Sequence, residues 1–235
     1  MSRRPPDPGA GVFETLLVRD GHVDAAAEHL RRLRGSVGRL YGRELPPDVE
    51  RRLHDHAATL TGAHRLRVDA TPSAAKEGVD IEIRTSPIAG GPPTPVRLAP
   101  LTVPGGLGAH KWRDRRLLDA APADPVALLV DADGTVLEAA WANVWMLDDG
   151  RLITPPADGR ILPGVTRARL LALAPSLGLR AREEAIDLPA ARAASVLFLT
   201  SSLRLAVAAT LAGPPAPLPA ETAVLAGIRA ALAPA

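Results

Sequence analysis

Three of the four Asp-Gly pairs lie between β-rich runs, and they set the tightest limit on what this chain can become. Asp20-Gly21 follows the β-rich run GVFETLLV (residues 11–18), Asp133-Gly134 lies within VALLVDADGTVLEA, and Asp149-Gly150 lies within ANVWMLDDGRLITP. Asp-Gly tolerates the positive φ of a two-residue hairpin turn, and such turns join antiparallel neighbours. Helical patterns lie between these hairpins, so the fold class is α+β rather than a doubly wound parallel sheet. No Gly-x-Gly-x-x-Gly follows a strand, and no Gly-x-x-x-x-Gly-Lys-Ser/Thr occurs.

Periodicity fills in the rest. Leu30, Leu33, Val37 and Leu40 predict a helix over 25–41, and Val49, Leu53 and Leu60 a second over 47–60. HRLRVDAT and VDIEIRTS alternate as half-buried strands do, and residues 88–95 read as a turn or linker. VRLAPLTV is a further strand, followed by a helix over 111–121. The Gly-Pro loop DGRILPG leads to a helix over 165–177, strands near 179–186, 195–200 and 204–209, and a helix over 219–233. The expected organisation is a disordered tail (1–10), a small N-terminal domain (11–103), a linker (104–109) and a larger C-terminal domain (110–235).

Composition removes several chemistries. The 235 residues include no cysteine, which excludes disulfides, thiolate metal sites and cysteine nucleophiles. Aromatics are 3% against 46% hydrophobic residues, so the core is aliphatic and there is little to stack nucleic-acid bases. Net charge is only +2, with the arginines scattered among acids. His54 and His56 would point apart on a helix, no metal-ligand spacing occurs, and no Gly-x-Ser-x-Gly marks a serine hydrolase. No apolar run is long enough for a membrane span and the first residues have no apolar signal core, so the expectation is a cytoplasmic protein without nucleic-acid or membrane partners.

One composition detail points the other way. Of 28 basic residues only Lys76 and Lys111 are lysines. Arginine replaces lysine as a surface cation, but not as a primary amine that condenses with a carbonyl. Lys111, in GAHKWRDR, is a candidate nucleophile or a solvated helix residue; Lys76, in SAAKEG, has no such context.

Glu138 is a surface carboxylate or, if buried, a group suited to keep a pyridinium nitrogen protonated. Arg32 adjoins Arg31, and a helix cannot bury both, so one of the two is free to face a site. Val165 and Thr166 open a helix after Pro163-Gly164, an anion site unless Thr166 merely caps it. Thr200-Ser201-Ser202 ends an apolar strand, at an anion or in a plain turn.

Taken in order, GVFET, EHLRRL, the isolated lysine, DGTVLE…NVW, LPGVTR and LFLTSS resemble the fold-type IV pyridoxal-phosphate enzymes, the class IV aminotransferases, over residues 11 to about 210. The resemblance implies two α/β domains, small and N-terminal, larger and hairpin-rich with a pseudo-barrel, with pyridoxal 5'-phosphate between them, usually in a homodimer. Lys111 would hold the cofactor as a Schiff base, and Glu138 would pair with its ring nitrogen. Arg32, in the His29-x-x-Arg-Leu position, would bind the phosphate with the N–H groups of Val165 and Thr166 and the hydroxyls of Ser201 and Ser202.

Within the family, His110-Lys111-x-x-Asp114-Arg115 is most similar to the 4-amino-4-deoxychorismate lyases, which form 4-aminobenzoate and pyruvate. Arg115 and Arg204 are then candidates for the substrate carboxylates. The alternatives are a branched-chain or D-amino-acid aminotransferase, and a non-catalytic paralogue that binds a ligand or partner. The chain departs from the family pattern in having ten residues before GVFET, in Trp112 beside the lysine, and in a hydroxyl-poor AAWAN after Glu138.

Overall fold

The computed structural model describes residues 5–73, 78–88, 94–212 and 222–234. Lys76, residues 89–93 of the expected turn and 219–221 of the expected last helix lie outside them, as do residues 1–4. The chain divides into two units, Met1–Gly91 with His110–Arg116, and Pro92–Ala109 with Leu117–Ala233.

The first unit is built on β1 (Val12–Arg19), β2 (His22–Val23), α1 (Ala26–Tyr41), α2 (Val49–Ala57), β3 (Ala63–Pro72) and β4 (Val79–Pro87). Its sheet has the order β2-β1-β3-β4, antiparallel throughout. The Asp20-Gly21 turn joins β1 to β2 with both residues at positive φ, as a primed hairpin turn requires. α1 ends at Gly42, whose left-handed backbone lets its N–H bond the carbonyl of Gly38. Leu30, Leu33 and Val37 of α1 join Val12, Leu16 and Val18 of β1 and Leu66 and Val68 of β3 in one buried cluster. Each such side chain contributes roughly 1.5–3 kcal/mol of burial.

The second unit carries β5 (Val96–Thr102), all but the first residue of α3 (Arg116–Asp119), β6 (Val126–Val130), β7 (Thr135–Ala139), β8 (Ala142–Asp148), β9 (Arg151–Thr154), α4 (Val165–Leu173), β10 (Arg180–Glu183), β11 (Ile186–Asp187), α5 (Leu188–Ala193), β12 (Val196–Ser201), β13 (Leu205–Leu211) and α6 (Ala223–Leu232). The sheet order is β10-β9-β8-β12-β13-β5-β6-β7-β11, and β8 also pairs with β7. That pairing closes β8, β12, β13, β5, β6 and β7 into a six-stranded barrel. Val96, Leu98, Leu128, Val130, Val136, Val144, Leu197, Leu199 and Val207 form one cluster drawn from all six strands. The architecture is the α+β fold, with a hairpin-rich pseudo-barrel, expected for fold-type IV. Among the described residues no helix is long and apolar enough to cross a membrane.

Some expectations are corrected. The strand over 96–103, grouped with the first domain, pairs in parallel with β6 and β13 and belongs to the larger sheet. The helix over 111–121 shrinks to α3, because residues 111–113 run extended beside the start of β1: Phe13 N–H donates to the Lys111 carbonyl at 2.8 Å and Arg113 N–H to that of Gly11 at 3.0 Å. The single strand near 179–186 is two, β10 and β11. Pro8–Ala10, expected in a disordered tail, form one 3-10 turn capped by Asp7, and Tyr41 Oη donates to the Pro8 carbonyl.

Candidate active site

Alternation along β1 sorts its side chains onto two faces. Val12, Glu14, Leu16 and Val18 point toward α1; Phe13, Thr15 and Leu17 point the other way.

On the α1 side Glu14 is 1% exposed. Its Oε1 accepts from Arg32 Nε at 2.7 Å, and its Oε2 from Arg32 Nη2 at 2.8 Å. His29 Nδ1 lies 2.7 Å from the same Oε2 and donates to the carboxylate. His29 and Arg32 are three apart on α1 and so share its inner face. Burial pushes the Glu14 carboxyl up, but Arg32 and His29 outweigh it and bring the pKa down to about 2. Arg31 is exposed, so the neighbouring arginines divide as helix geometry requires.

On the opposite face Lys111 Nζ stands 5.1 Å from the centroid of the Phe13 ring, and Arg67 Cζ stands 3.8 Å from it. Phe13 pairs with Asp69 across the ladder. Asp69 is 2% exposed and receives Arg67 Nη2 at 2.8 Å, Arg84 Nη2 at 2.7 Å and Arg113 Nε at 3.0 Å. Burial raises this carboxyl; the guanidinium groups override it and hold it below the ordinary range. Gly11, at φ 98°, permits the close pairing beside Lys111, since a Cβ there would stand 2.6 Å from the Ala70 carbonyl oxygen.

The residues around Lys111 are individually tied. His110 Nδ1 is 2.9 Å from Ser36 Oγ and its ring meets Trp112 edge-on. Burial, then the charge of Arg39, lowers the His110 pKa. Trp112 turns onto the cluster beneath α1, away from the Phe13 face that Lys111 occupies. Asp114 receives Arg116 and the Asp7 N–H, which keep it ionised well below the usual range. Arg115 is half-buried in the same segment.

The second unit holds the other expected residues. Glu138, 7% exposed near the end of β7, accepts the Leu162 N–H at 3.3 Å on each oxygen. Asn143 of β8 lies opposite Glu138 in the ladder and donates from Nδ2 to the Leu162 carbonyl at 2.9 Å. Both side chains therefore grip the loop that precedes α4. Gly164 caps α4 without a side-chain hydrogen bond, so Thr166, inside the helix, is not its cap. Val165 and Thr166 lie in the first turn of α4, where backbone N–H groups have no partner within the helix.

Thr200 Oγ1 accepts from Trp145 Nε1 at 2.9 Å in the core, which separates it from Ser201 and Ser202 at the β12–β13 turn. Arg204 is exposed, with Cζ 4.7 Å from the Trp141 ring centroid. Lys111, Arg32 and Arg115 thus belong to the first unit, and Glu138, Val165, Thr166, Ser201, Ser202 and Arg204 to the second.

Sequence reasoning missed Glu14, Asp69 and Asn143. Glu14 had a signal: it falls at an apolar-facing register between Val12 and Leu16. Among the described residues no group of three His, Asp or Glu side chains could hold a metal ion.

Comparison with known proteins gives consistent matches. The family described as Amino-transferase class IV matches residues 11–211. A branched-chain-amino-acid aminotransferase from Escherichia coli K12 is 32% identical over 75 residues, 32% of this chain and 24% of that protein. The chain thus aligns with about a quarter of the length of this curated relative. A hypothetical aminotransferase from Mycobacterium tuberculosis in its PLP-bound form superposes with a TM-score of 0.82 at 24% identity, covering 95% of this chain and 88% of that one. A Legionella pneumophila protein provisionally named 4-amino-4-deoxychorismate lyase superposes with a TM-score of 0.76 at 22% identity, covering 97% and 94%.

Proposed function

Since the chain belongs to the class IV aminotransferase family, we propose that it is a pyridoxal-phosphate enzyme that splits 4-amino-4-deoxychorismate into 4-aminobenzoate and pyruvate. The supporting observation is the segment His110-Lys111-x-x-Asp114-Arg115. Its amine lies on the Phe13 face, and His110 and Asp114 are anchored to Ser36 and to Arg116 and Asp7.

The cofactor is pyridoxal 5'-phosphate, and the donor set fits its chemistry. A primary amine, a buried carboxylate, a chelated guanidinium and a helix N-terminus without a side-chain cap match its aldehyde, ring nitrogen and phosphate. When bound it supplies an electron sink for the charge left at the amine-bearing carbon.

Lys111 would hold it through its amine, and the same amine would take the proton from C4 of the substrate and give one to the enolpyruvyl oxygen as it leaves. Glu138, a buried carboxylate, would accept from the ring N–H and keep that nitrogen protonated. Arg32, the Val165 and Thr166 N–H groups, Ser201 and Ser202 hold the phosphate. Arg115 and Arg204 bind substrate carboxylates. The protein acts as a cytoplasmic homodimer, which light scattering tests.

The 32% identity with a branched-chain aminotransferase favours a second reading, transfer of the amino group to an oxo-acid. One assay separates the two. Pyruvate release from aminodeoxychorismate without added oxo-acid supports the lyase; strict dependence on an oxo-acid overturns it. Borohydride should fix the yellow colour at Lys111, and Lys111→Ala should abolish both colour and turnover. Full activity in that variant overturns the site assignment.

A further inference from the structure

We infer that Glu14 is a positioning residue for cofactor capture: by chelating the side of the Arg32 guanidinium, it sets the direction in which that group meets a phosphate. This rests on the proposed phosphate role of Arg32.

A guanidinium is a rigid planar fork with five N–H donors. The Glu14 carboxylate takes the Nε–H and one Nη2–H along a single edge, at 2.7 and 2.8 Å. With that edge fixed, the plane of the fork and the direction of the Nη1 amino group are fixed too. His29 closes the remaining freedom by donating to Oε2, so the carboxylate cannot rotate away from Arg32. All of this is anchored on regular structure, since Glu14 is central in β1 and His29 and Arg32 lie on α1. The carboxylate is buried and Arg32 is only 12% exposed at its side chain, so neither partner is free to re-pair with water at small cost.

Two physical effects of Glu14 on phosphate binding have opposite signs. Its negative charge offsets that of Arg32 and should weaken attraction to an anion. Its chelation removes the rotamer freedom that an unrestrained arginine loses on binding. The geometry points to the second as the larger. An arginine without its carboxylate would sit beside a buried gap and turn toward solvent.

The test uses apoprotein titrated with pyridoxal 5'-phosphate and, separately, with pyridoxal, which lacks the phosphate. Absorbance of the bound chromophore gives both affinities, and their ratio does not depend on the folded fraction of a sample. Arg32→Met should lower the ratio by about 10- to 100-fold, the worth of hydrogen bonds to a charged group. Glu14→Gln and Glu14→Asp should each lower it by about 10-fold or more, and add nothing to Arg32→Met when combined with it. Glu14→Asp keeps the charge and shortens the reach, so it separates positioning from charge.

An unchanged or increased ratio in the Glu14 variants, with the Arg32→Met loss intact, overturns the inference alone. An unchanged ratio in Arg32→Met overturns the phosphate role of Arg32 itself.

Discussion

A Cβ placed on Gly164 would lie 1.9 Å from Oδ1 of Asn143. Asn143 is buried and its Nδ2 is committed to the Leu162 carbonyl, so its amide has no room to retreat without giving up that bond. The backbone of Gly164 is itself unstrained, at φ −65°. Gly164→Ala should therefore cost about 1–3 kcal/mol, the range for overpacking. Adding Asn143→Ala should recover part of that loss, because the clash disappears. Urea denaturation of the two single variants and the double variant measures the coupling; simple additivity would show that these residues do not meet.

Glu14 also predicts an acid limit. Its pKa is about 2 in the native chain against an ordinary 4.5. A carboxyl depressed by folding stabilises fully above the unfolded value, and that contribution fades as pH falls through the native one. Wild-type stability should thus lose about 3 kcal/mol from this residue as pH falls from 4.5 toward 2. Denaturation of Glu14→Gln across the same range should be flatter by that amount, and parallel curves would refute the assignment.

The hydroxyls at the end of β12 should separate by function. Thr200→Val strands the buried Trp145 Nε1 donor and should cost about 1–3 kcal/mol, leaving the preference for pyridoxal phosphate over pyridoxal intact. Ser202→Ala leaves the Thr200–Trp145 bond in place and should cost less stability than Thr200→Val. It should lower that preference by about 3- to 10-fold, the worth of one hydrogen bond to phosphate. Calorimetry and the two titrations read both quantities; a reversed pattern would exchange the roles.

Asp69 is expected to hold the Lys111 segment through Arg113. Asp69→Ala leaves three guanidinium groups without their shared buried acceptor and should destabilise by about 2 kcal/mol, moderated by the exposure of Arg84. Amide exchange at Arg113, whose N–H bonds Gly11, should accelerate more than exchange on α2. Equal acceleration at both places would mean only a general loss of stability.

Local signals in the sequence reached local structure. Asp20-Gly21, Asp133-Gly134 and Asp149-Gly150 produce hairpins β1–β2, β6–β7 and β8–β9, and the spacing of Leu30, Leu33 and Val37 yields α1. Failures came where a distant partner decides. Residues 111–113 have helical neighbours, yet pairing with Gly11 and Phe13 draws them out straight. A strand's own residues carry no record of which strand it joins, so sequence order alone places β5 with the elements preceding it. The candidate site residues are legible as motifs, whereas the groups that hold them are not. Asp69 and Asn143 read as ordinary strand polar residues until their neighbours across the ladder are known.

The parallel pairing of β5 with β13, Val96 beside Ala209, has a consequence for biogenesis. A ribosome delivers β5 and β6 well before β13, the last strand of the barrel. Throughout that interval one flank of β5 presents backbone N–H and C=O groups with no partner yet synthesised. The first unit's four-stranded sheet has all its strands much sooner. Translation therefore leaves the nascent protein with a finished small sheet and an open large one, and a transcript cut short before Leu205 encodes a barrel that cannot close.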